Sequence, residues 1–310
     1  MRNFWIDTDT ASDDAVAILM ALRWPDVNVV GISVVAGNVH VEKGAKNARY
    51  TVELCAKKTP VYLGASQPLV REPTWGYFFH GDDGMGNKNY PEPSLPLAEG
   101  NAVEALIDAV RSNPGNITLV TLGPFTNIAL ALRIAPDIAE KISMCYAMAG
   151  AAATLGNITP AAEFNVYVDP EAAKIVFDSG IPLLMVGWEH CRGQANLVEE
   201  EMAYVRTFNT PFADFAIDCN AHAISTNKEW LTEPGLALPD PVTMAIALDP
   251  SICTKRSPHF VDVEIESELT LGMTVVDQLG VTKKEKNIEV CWEIDIQGWK
   301  DLLYKTLQQE

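Results

Sequence analysis

The residues with the most evident chemistry lie in the segment WIDTDTASDDAVAILMAL, positions 5–22. Asp7, Asp9, Asp13 and Asp14 fall there between an apolar strand-like run and an apolar helix-like run. Like charges this close repel, and they raise one another's pKa unless something positive sits among them. Helix capping accounts for part of the pattern: Ser12 or Asp13 is placed to cap a helix, and acids in a first turn suit its dipole. Capping leaves Asp7 and Asp9 unexplained. A hard divalent cation explains all four, and carboxylates and carbonyls without nearby Cys or His favour calcium or magnesium.

The elements around this turn alternate. Residues 2–6 read as a strand, 13–23 as a helix, 27–35 as a β-branched strand and 41–57 as a helix with apolar residues at helical spacing. Residues 117–121 form a strand, followed by a helix from Asn127 with Thr126 as N-cap. Residues 142–147 are a strand. Residues 170–178 are a helix with Asp169 as N-cap, Pro170 at its first position and Gly180 past its end, and 183–186 are a further strand. This order predicts an α/β fold, an open and mostly parallel sheet with helices on both faces. Near-continuous apolar strands agree with a sheet covered on both sides. Ligands in such sheets bind beyond the carboxyl ends of the strands, so the acidic turn lies on the functional rim.

Two stretches depart from the alternation. Residues 72–98, rich in Gly, Pro and aromatics, read as a long, flexible functional loop. Residues 196–238 read as a helical cap over a site, interrupted at Asn227–Lys228 and Pro234–Gly235. The chain reads as a single domain, 1–310, with these insertions.

Bulk properties narrow the function. The 310 residues are 48% apolar and carry a formal net charge of -18, with a pI near 4.6 and a mean hydropathy near zero. That acidity repels phosphate backbones and argues against nucleic acid as a partner. No basic leader, cleavable signal or apolar run near 18 residues is visible, which predicts no membrane partner and a cytoplasmic location. The six cysteines (Cys55, Cys145, Cys191, Cys219, Cys253, Cys291) are scattered without a C-x-x-C pair, as in reduced cytosolic proteins.

The opening Asp7-Thr8-Asp9-Thr10 is similar to the D-x-D-x-T motif of haloacid dehalogenase-like phosphatases, and Gly81-Asp82-Asp83 to their later acidic motif. Gly81 comes too early for that motif, and Asp13-Asp14 has no role in it. D-x-D-x-x-x-D-D before an apolar helix more closely resembles the opening of the nucleoside hydrolases (nucleoside N-ribohydrolases). Further blocks follow in that family's order: residues 36–39 (AGNV), 122–127 (LGPFTN), 156–165 (GNITPAAEFN), 169–173 (DPEAA), 185–187 (MVG), 240–241 (DP) and 268–277 (ELTLGMTVVD). The resemblance spans nearly the whole chain.

The resemblance implies one Ca2+ ion, held by Asp9, Asp14, Asp240 and the backbone carbonyl of Leu122. A water and ribose hydroxyls would complete six to eight oxygens. Asp9 would take the proton of the attacking water. Asp13, Asn38, Asn157, Glu163 and Asn165 match ribose contacts, Met148 a residue under the sugar, and Asp7 a neighbour that orients the site. The implied substrate is a ribonucleoside, split by water into base and ribose, and the implied assembly is a homodimer or homotetramer.

One position departs from the family. Members carry His or Trp directly before the last metal-binding Asp, and here that residue is Pro239. Substitutes for contact with the sugar or the leaving base are His80 in Phe78-Phe79-His80-Gly81, His222 and Asn220 on the cap segment, Cys191, and the rings of Trp75 and Trp230. Two other readings remain: a magnesium-dependent D-x-D-x-T phosphatase, and a non-catalytic nucleoside- or ribose-binding protein.

Overall fold

Apolar runs covered on both faces build the sheet. The structure, a computed structural model, describes residues 1–230 and 235–308. Its strands are β1 (Arg2–Thr8), β2 (Val27–Val34), β3 (Val61–Leu63), β4 (Ile117–Thr121), β5 (Ile142–Met148), β6 (Leu183–Val186), β7 (Cys253–Val263), β8 (Thr274–Asp277) and β9 (Ile288–Ile294). They form one nine-stranded sheet in the order β3-β2-β1-β4-β5-β6-β9-β7-β8. The first six strands and β9 run parallel, whereas β7 is antiparallel to β9 and to β8. The fold is therefore the expected open, mostly parallel α/β sheet.

The helices are α1 (Ser12–Arg23), α2 (Val41–Leu54), α3 (Tyr77–His80), α4 (Ala102–Ser112), α5 (Thr126–Ile134), α6 (Phe164–Val168) and α7 (Pro170–Phe177), then α8 (Glu199–Arg206), α9 (Pro211–Asp218), α10 (Ala221–Trp230), α11 (Pro239–Leu248) and α12 (Ile296–Gln308). Successive strand residues face opposite ways. Phe4 and Ile6 join a core with α1, α2, α11 and α12, while Trp5 joins one with α4, α5 and α7. Helix α1 is buried from Ser12 to Leu22, which explains why its sequence is apolar nearly all round. No helix among the described residues is long and apolar enough to cross a membrane.

The strand order reverses between β1 and β4, and ligands in such sheets sit at that reversal. The chain leaves β1 into Asp9 and leaves β4 into Leu122, and Leu122 N–H donates to the Asp7 carbonyl at 2.8 Å. The acidic turn is thus fastened to the neighbouring strand end by main-chain bonding.

Several local expectations are corrected. Helix α1 starts at Ser12, and its cap position is Ala11, not Ser12 or Asp13. The Asp14 carboxylate accepts the Ala11 N–H at 2.9 Å. Thr126 is the first residue of α5 and not its cap, because its hydroxyl donates to Asp169 at 2.6 Å. Asp169 does cap α7, accepting from Ala172 N–H at 3.0 Å. The segment 196–238 contains α8, α9 and α10, and α10 runs unbroken through Asn227–Lys228. The predicted break at Pro234 lies outside the described residues.

Asn127 ties three pieces together. Its Oδ1 accepts from Ala65 N–H at 2.8 Å and its Nδ2 donates to Asp7 at 2.9 Å, with Asn127 and Asp7 themselves buried. Replacing Asn127 by Ala strands the Ala65 N–H and removes a donor from Asp7. We expect a loss of about 1–3 kcal/mol in unfolding free energy, read as a lower denaturant midpoint. An unchanged midpoint would show that these bonds contribute nothing.

Candidate active site

The floor of the site is acidic. Asp13, Asp14 and Asp240 each present a carboxylate oxygen within 4.8 Å of the others, and all three are buried. Asp240 reaches them from the first turn of α11, where Pro239 starts the helix. Asp9 stands beside this triple: its Oδ2 accepts the Asn38 N–H at 2.6 Å, and its carboxyl contacts that of Asp14. Two glycines make room for it. A Cβ at Gly37 would lie 2.2 Å from Asp9 Oδ2, and one at Gly123 would lie 2.8 Å from Asp9 Oδ1. Asp13, read from the resemblance as a ribose contact, thus belongs to the tightest carboxylate cluster, and Asp9 flanks it.

The electrostatics are those of a site built for a cation. Burial, and then the charge of Asp14, push Asp9 well above the usual carboxylate range and lift Asp13 to about 8. Burial and then Asp13, Asp14 and Asp9 push Asp240 up. Burial raises Asp14 too, although bonds from Thr8 Oγ1 at 2.5 Å and from Ala11 N–H oppose the rise. Among the described residues no Lys or Arg forms an ion pair with any of them. Asp9 Oδ1 and Asp13 Oδ1 are buried without a hydrogen-bond partner. Convergent, unpartnered hard oxygens fit a divalent cation that prefers carboxylates.

Asp7 has a different environment. It is fully buried, and its Oδ2 accepts from Ser33 Oγ and from Asn127 Nδ2. Trp5 Nε1 donates to the same Ser33 hydroxyl at 2.9 Å. Burial raises Asp7 to about 7 against those bonds. A carboxylate sealed in this way is out of reach of a phosphoryl group and does not fit the role of a phosphatase nucleophile. Asp83, the other half of the phosphatase reading, spends its carboxylate on the N–H groups of Met85, Asn87 and Asn89 in its own turn.

Above the floor opens a cleft of about 740 Å³, counting the space open to solvent. Asp13, Asp240, Asn38, Asn157, Glu163, Asn165 and His80 line it, together with Leu122, Met148 and Pro239. Glu163 caps α6, its carboxylate accepting from Asn165 N–H and Gly150 N–H at 2.9 Å each, and burial raises it to about 7. Asn165 Nδ2 donates to the carbonyls of Leu122 at 2.9 Å and Met148 at 3.1 Å. Asn157 Oδ1 is buried without a partner. His80 Nδ1 bonds the Ser12 hydroxyl at 2.7 Å, and burial, with His222 nearby, pushes its pKa down to about 3. Burial thus favours the neutral ring, whose Nδ1 also lies 3.8 Å from Asp13 Oδ1.

Three candidates for contact with the leaving base lie off the cleft wall. Trp75 packs on His40, ring centroids 4.0 Å apart. His222 sits behind the aromatic loop, its Nε2 on the Phe78 carbonyl at 3.2 Å. Cys191 is buried, its thiol donating to the Trp188 carbonyl at 3.1 Å. Asn220 turns its amide to the Ala216 carbonyl at 2.9 Å, and the side chain of Trp230 lies outside the described residues. The apolar wall instead comes from Phe78, Phe79, Ile158, Phe164 and Trp188. Of these, Ile158, Phe164 and Trp188 escaped the sequence reading. Phe164 stands between Glu163 and Asn165 in the most specific block, and Trp188 directly follows the 185–187 block, so each had a signal.

Residues 4–301 match the family described as inosine-uridine preferring nucleoside hydrolase. A pyrimidine-specific ribonucleoside hydrolase, RihA, of Shewanella sp. (strain MR-7) is 39% identical, with 99% of this chain and 96% of that protein aligned. Among solved structures, a plant nucleoside hydrolase, PpNRh1, superimposes with a TM-score of 0.94 at 29% identity over 100% of this chain and 99% of that one. A purine-preferring ribonucleoside hydrolase from Gardnerella vaginalis does so at 0.90 and 30% identity, covering 99% of each chain. Fold, site and sequence therefore agree on a metal-dependent hydrolase, and the chain belongs to the inosine-uridine preferring nucleoside hydrolase family. It is a nucleoside N-ribohydrolase, an enzyme that breaks the N-glycosidic bond of ribonucleosides. The phosphatase and non-catalytic readings are set aside.

The raised carboxylates fix the sign of a metal-linked pH effect. A carboxyl whose folded pKa lies above its unfolded value near 3.8 favours the folded state most when protonated, and that contribution is lost as pH rises toward the folded pKa. A bound divalent cation reverses the penalty by favouring the ionised form. We expect the difference in Tm between cation-loaded and chelator-treated protein to grow from pH 5 to pH 8. A difference that is absent, or that shrinks over this window, would contradict the assignment.

Proposed function

We propose that the enzyme is calcium-dependent and that Asp9 is its general base. The observation that carries this reading is the cluster of buried carboxylates, with no Lys or Arg among the described residues paired to them, set at the floor of an aromatic-walled cleft. Asp9, Asp14, Asp240 and the carbonyl of Leu122 would hold the ion, and all four are hard oxygen donors of the kind calcium accepts. Bound calcium would acidify a water molecule and fix ribose hydroxyls.

The chain's own residues do the rest. Asp9 keeps Oδ2 on the Asn38 N–H and has Oδ1 without a partner, so Oδ1 takes the proton of the attacking water. The water adds at C1′ as the bond to the base breaks, and positive charge builds on the sugar ring. The carboxylates beneath the ring stabilise that charge through fixed electrostatics. Asp13, Asn38, Asn157, Glu163 and Asn165 hold the ribose. Asn165 has its amide N–H groups on two carbonyls, so its Oδ1 is the atom left for a sugar hydroxyl. Met148 packs under the sugar.

Pro239 supplies neither a proton nor a ring at the position before Asp240. The leaving base instead meets Phe78, Phe79, Phe164 and Trp188, which exclude water. His80 Nδ1 is committed to Ser12, so Nε2 is its nitrogen for the substrate. Relatives named for both pyrimidine and purine nucleosides share this architecture, so a test of activity has to span both base classes.

Ribose release from inosine, adenosine, guanosine, uridine and cytidine, with added calcium, tests the reaction. We expect turnover of at least one nucleoside, abolished by chelator and restored by calcium. Asp9→Asn should lower kcat by about 10²–10⁴-fold with the near-UV spectrum of the fold unchanged. Ribose release that survives Asp9→Asn would overturn the general-base role, and activity indifferent to chelator would overturn the metal.

A further inference from the structure

Among the described residues one pair of thiols is in contact, far along the chain from the acidic turn. Cys253 opens β7 and Cys291 lies in the middle of β9, and their sulfurs are 3.3 Å apart. We propose that Cys253 and Cys291 form a redox modification site, in which hydrogen peroxide oxidises Cys253 and Cys291 closes the pair to a disulfide.

Geometry and access support this assignment. A disulfide needs its sulfurs at about 2.05 Å, so the pair has to close a short gap. The backbone there can yield, since β7 carries register shifts between Cys253 and Lys255 and between Lys255 and Arg256. Bulged strands lack the regular ladder that would resist such an adjustment. Strand β8 pairs only with residues Phe260 to Val263 of β7, so the opposite edge of β7 at Cys253 carries no β8 partner. Cys253 is half-buried, whereas Cys55, Cys145, Cys191, Cys219 and Cys291 are all buried.

The thiols differ in reactivity in the order the chemistry requires. Burial pushes Cys55 and Cys145 up to about 12 and drives Cys191 and Cys219 well above the ordinary thiol value. Cys253 alone is drawn below that value, first by its hydrogen bond with Cys291 and then by the Arg256 guanidinium. The same bond, with burial, raises Cys291. The thiolate is the species that attacks peroxide, and exposure selects it further.

The steps balance. The Cys253 thiolate attacks one peroxide oxygen, an S–O bond forms, the O–O bond breaks, and the departing hydroxide takes up a proton as water. Cys253 is then a sulfenic acid. The Cys291 sulfur attacks the Cys253 sulfur, an S–S bond forms, the S–O bond breaks, and the hydroxyl leaves with the Cys291 proton as a second water. Two thiols lose two electrons and two protons, and one peroxide becomes two waters. The bond would act close to the cleft, because the Cys291 carbonyl accepts from His190 Nε2 at 2.9 Å. His190 shares a turn with Trp188, which lines the cleft wall.

The test uses the full chain, treated with a few equivalents of hydrogen peroxide, alkylated and mapped by peptide mass. We expect one intrachain Cys253–Cys291 cross-link, a loss of two hydrogens per chain, and reversal by dithiothreitol. Cys291→Ser should stop at a Cys253 sulfenic acid captured by dimedone, at least tenfold above every other cysteine. Cys253→Ser, at the more exposed position, should leave Cys291 reduced and unlinked. Free, alkylatable Cys253 and Cys291 after peroxide, or a link to any other cysteine, would overturn the site. Oxidation of Cys291 in Cys253→Ser would overturn the order of attack.

Discussion

Four buried carboxylates meeting without an internal cation are the constraint around which this structure is arranged. Charges of one sign in a low-dielectric setting repel strongly, and no arginine or lysine among the described residues answers Asp9, Asp13, Asp14 or Asp240. Perturbed carboxylates of this kind cluster at functional sites. The sheet places the cluster where its strand order reverses, between β1 and β4. There the main chain of the two strand ends is bonded together, and two glycines leave space for Asp9. Asp7 and its ring of Ser33, Asn127 and Trp5 hold the turn from below. Under the proposed mechanism the same oxygens would hold an ion and stabilise the positive charge that develops on the sugar, so one arrangement would serve both binding and catalysis.

Much of the fold could be read in the chain. Strands β1, β2, β4, β5 and β6 are apolar runs bounded by turn residues, and the pattern of a doubly covered sheet follows from that. The antiparallel edge was less visible. β7 is exposed or half-buried from Cys253 to Phe260, so no apolar run announces it. Helix starts were misplaced for a local reason. Thr126 and Ser12 are good caps by type, but their hydroxyls are engaged elsewhere, with Asp169 and His80. A tertiary partner outbids the local backbone, and a single sequence does not show that partner.

The site was partly readable in the same way. Charged and amide residues stood out by type and spacing, and most of them line one cleft. The apolar wall did not stand out, because Phe164 and Trp188 look like ordinary core in sequence. Cys191, His222 and Trp75 drew attention as reactive or aromatic residues, yet each is absorbed by packing against the back of the wall or the loop. Pro239 suits the first position of α11 and offers neither a proton nor an aromatic ring, so under the proposed mechanism the aromatic loop and His80 would handle the leaving base.

The central claim is that the carboxylate cluster is a cation site whose groups ionise on binding. Calorimetric titration of calcium into chelator-treated protein near pH 7, repeated in buffers of different ionisation enthalpy, tests it most directly. We expect one ion per chain, with net release of protons to the buffer. Absence of saturable binding, or binding with no dependence on the buffer, would contradict it.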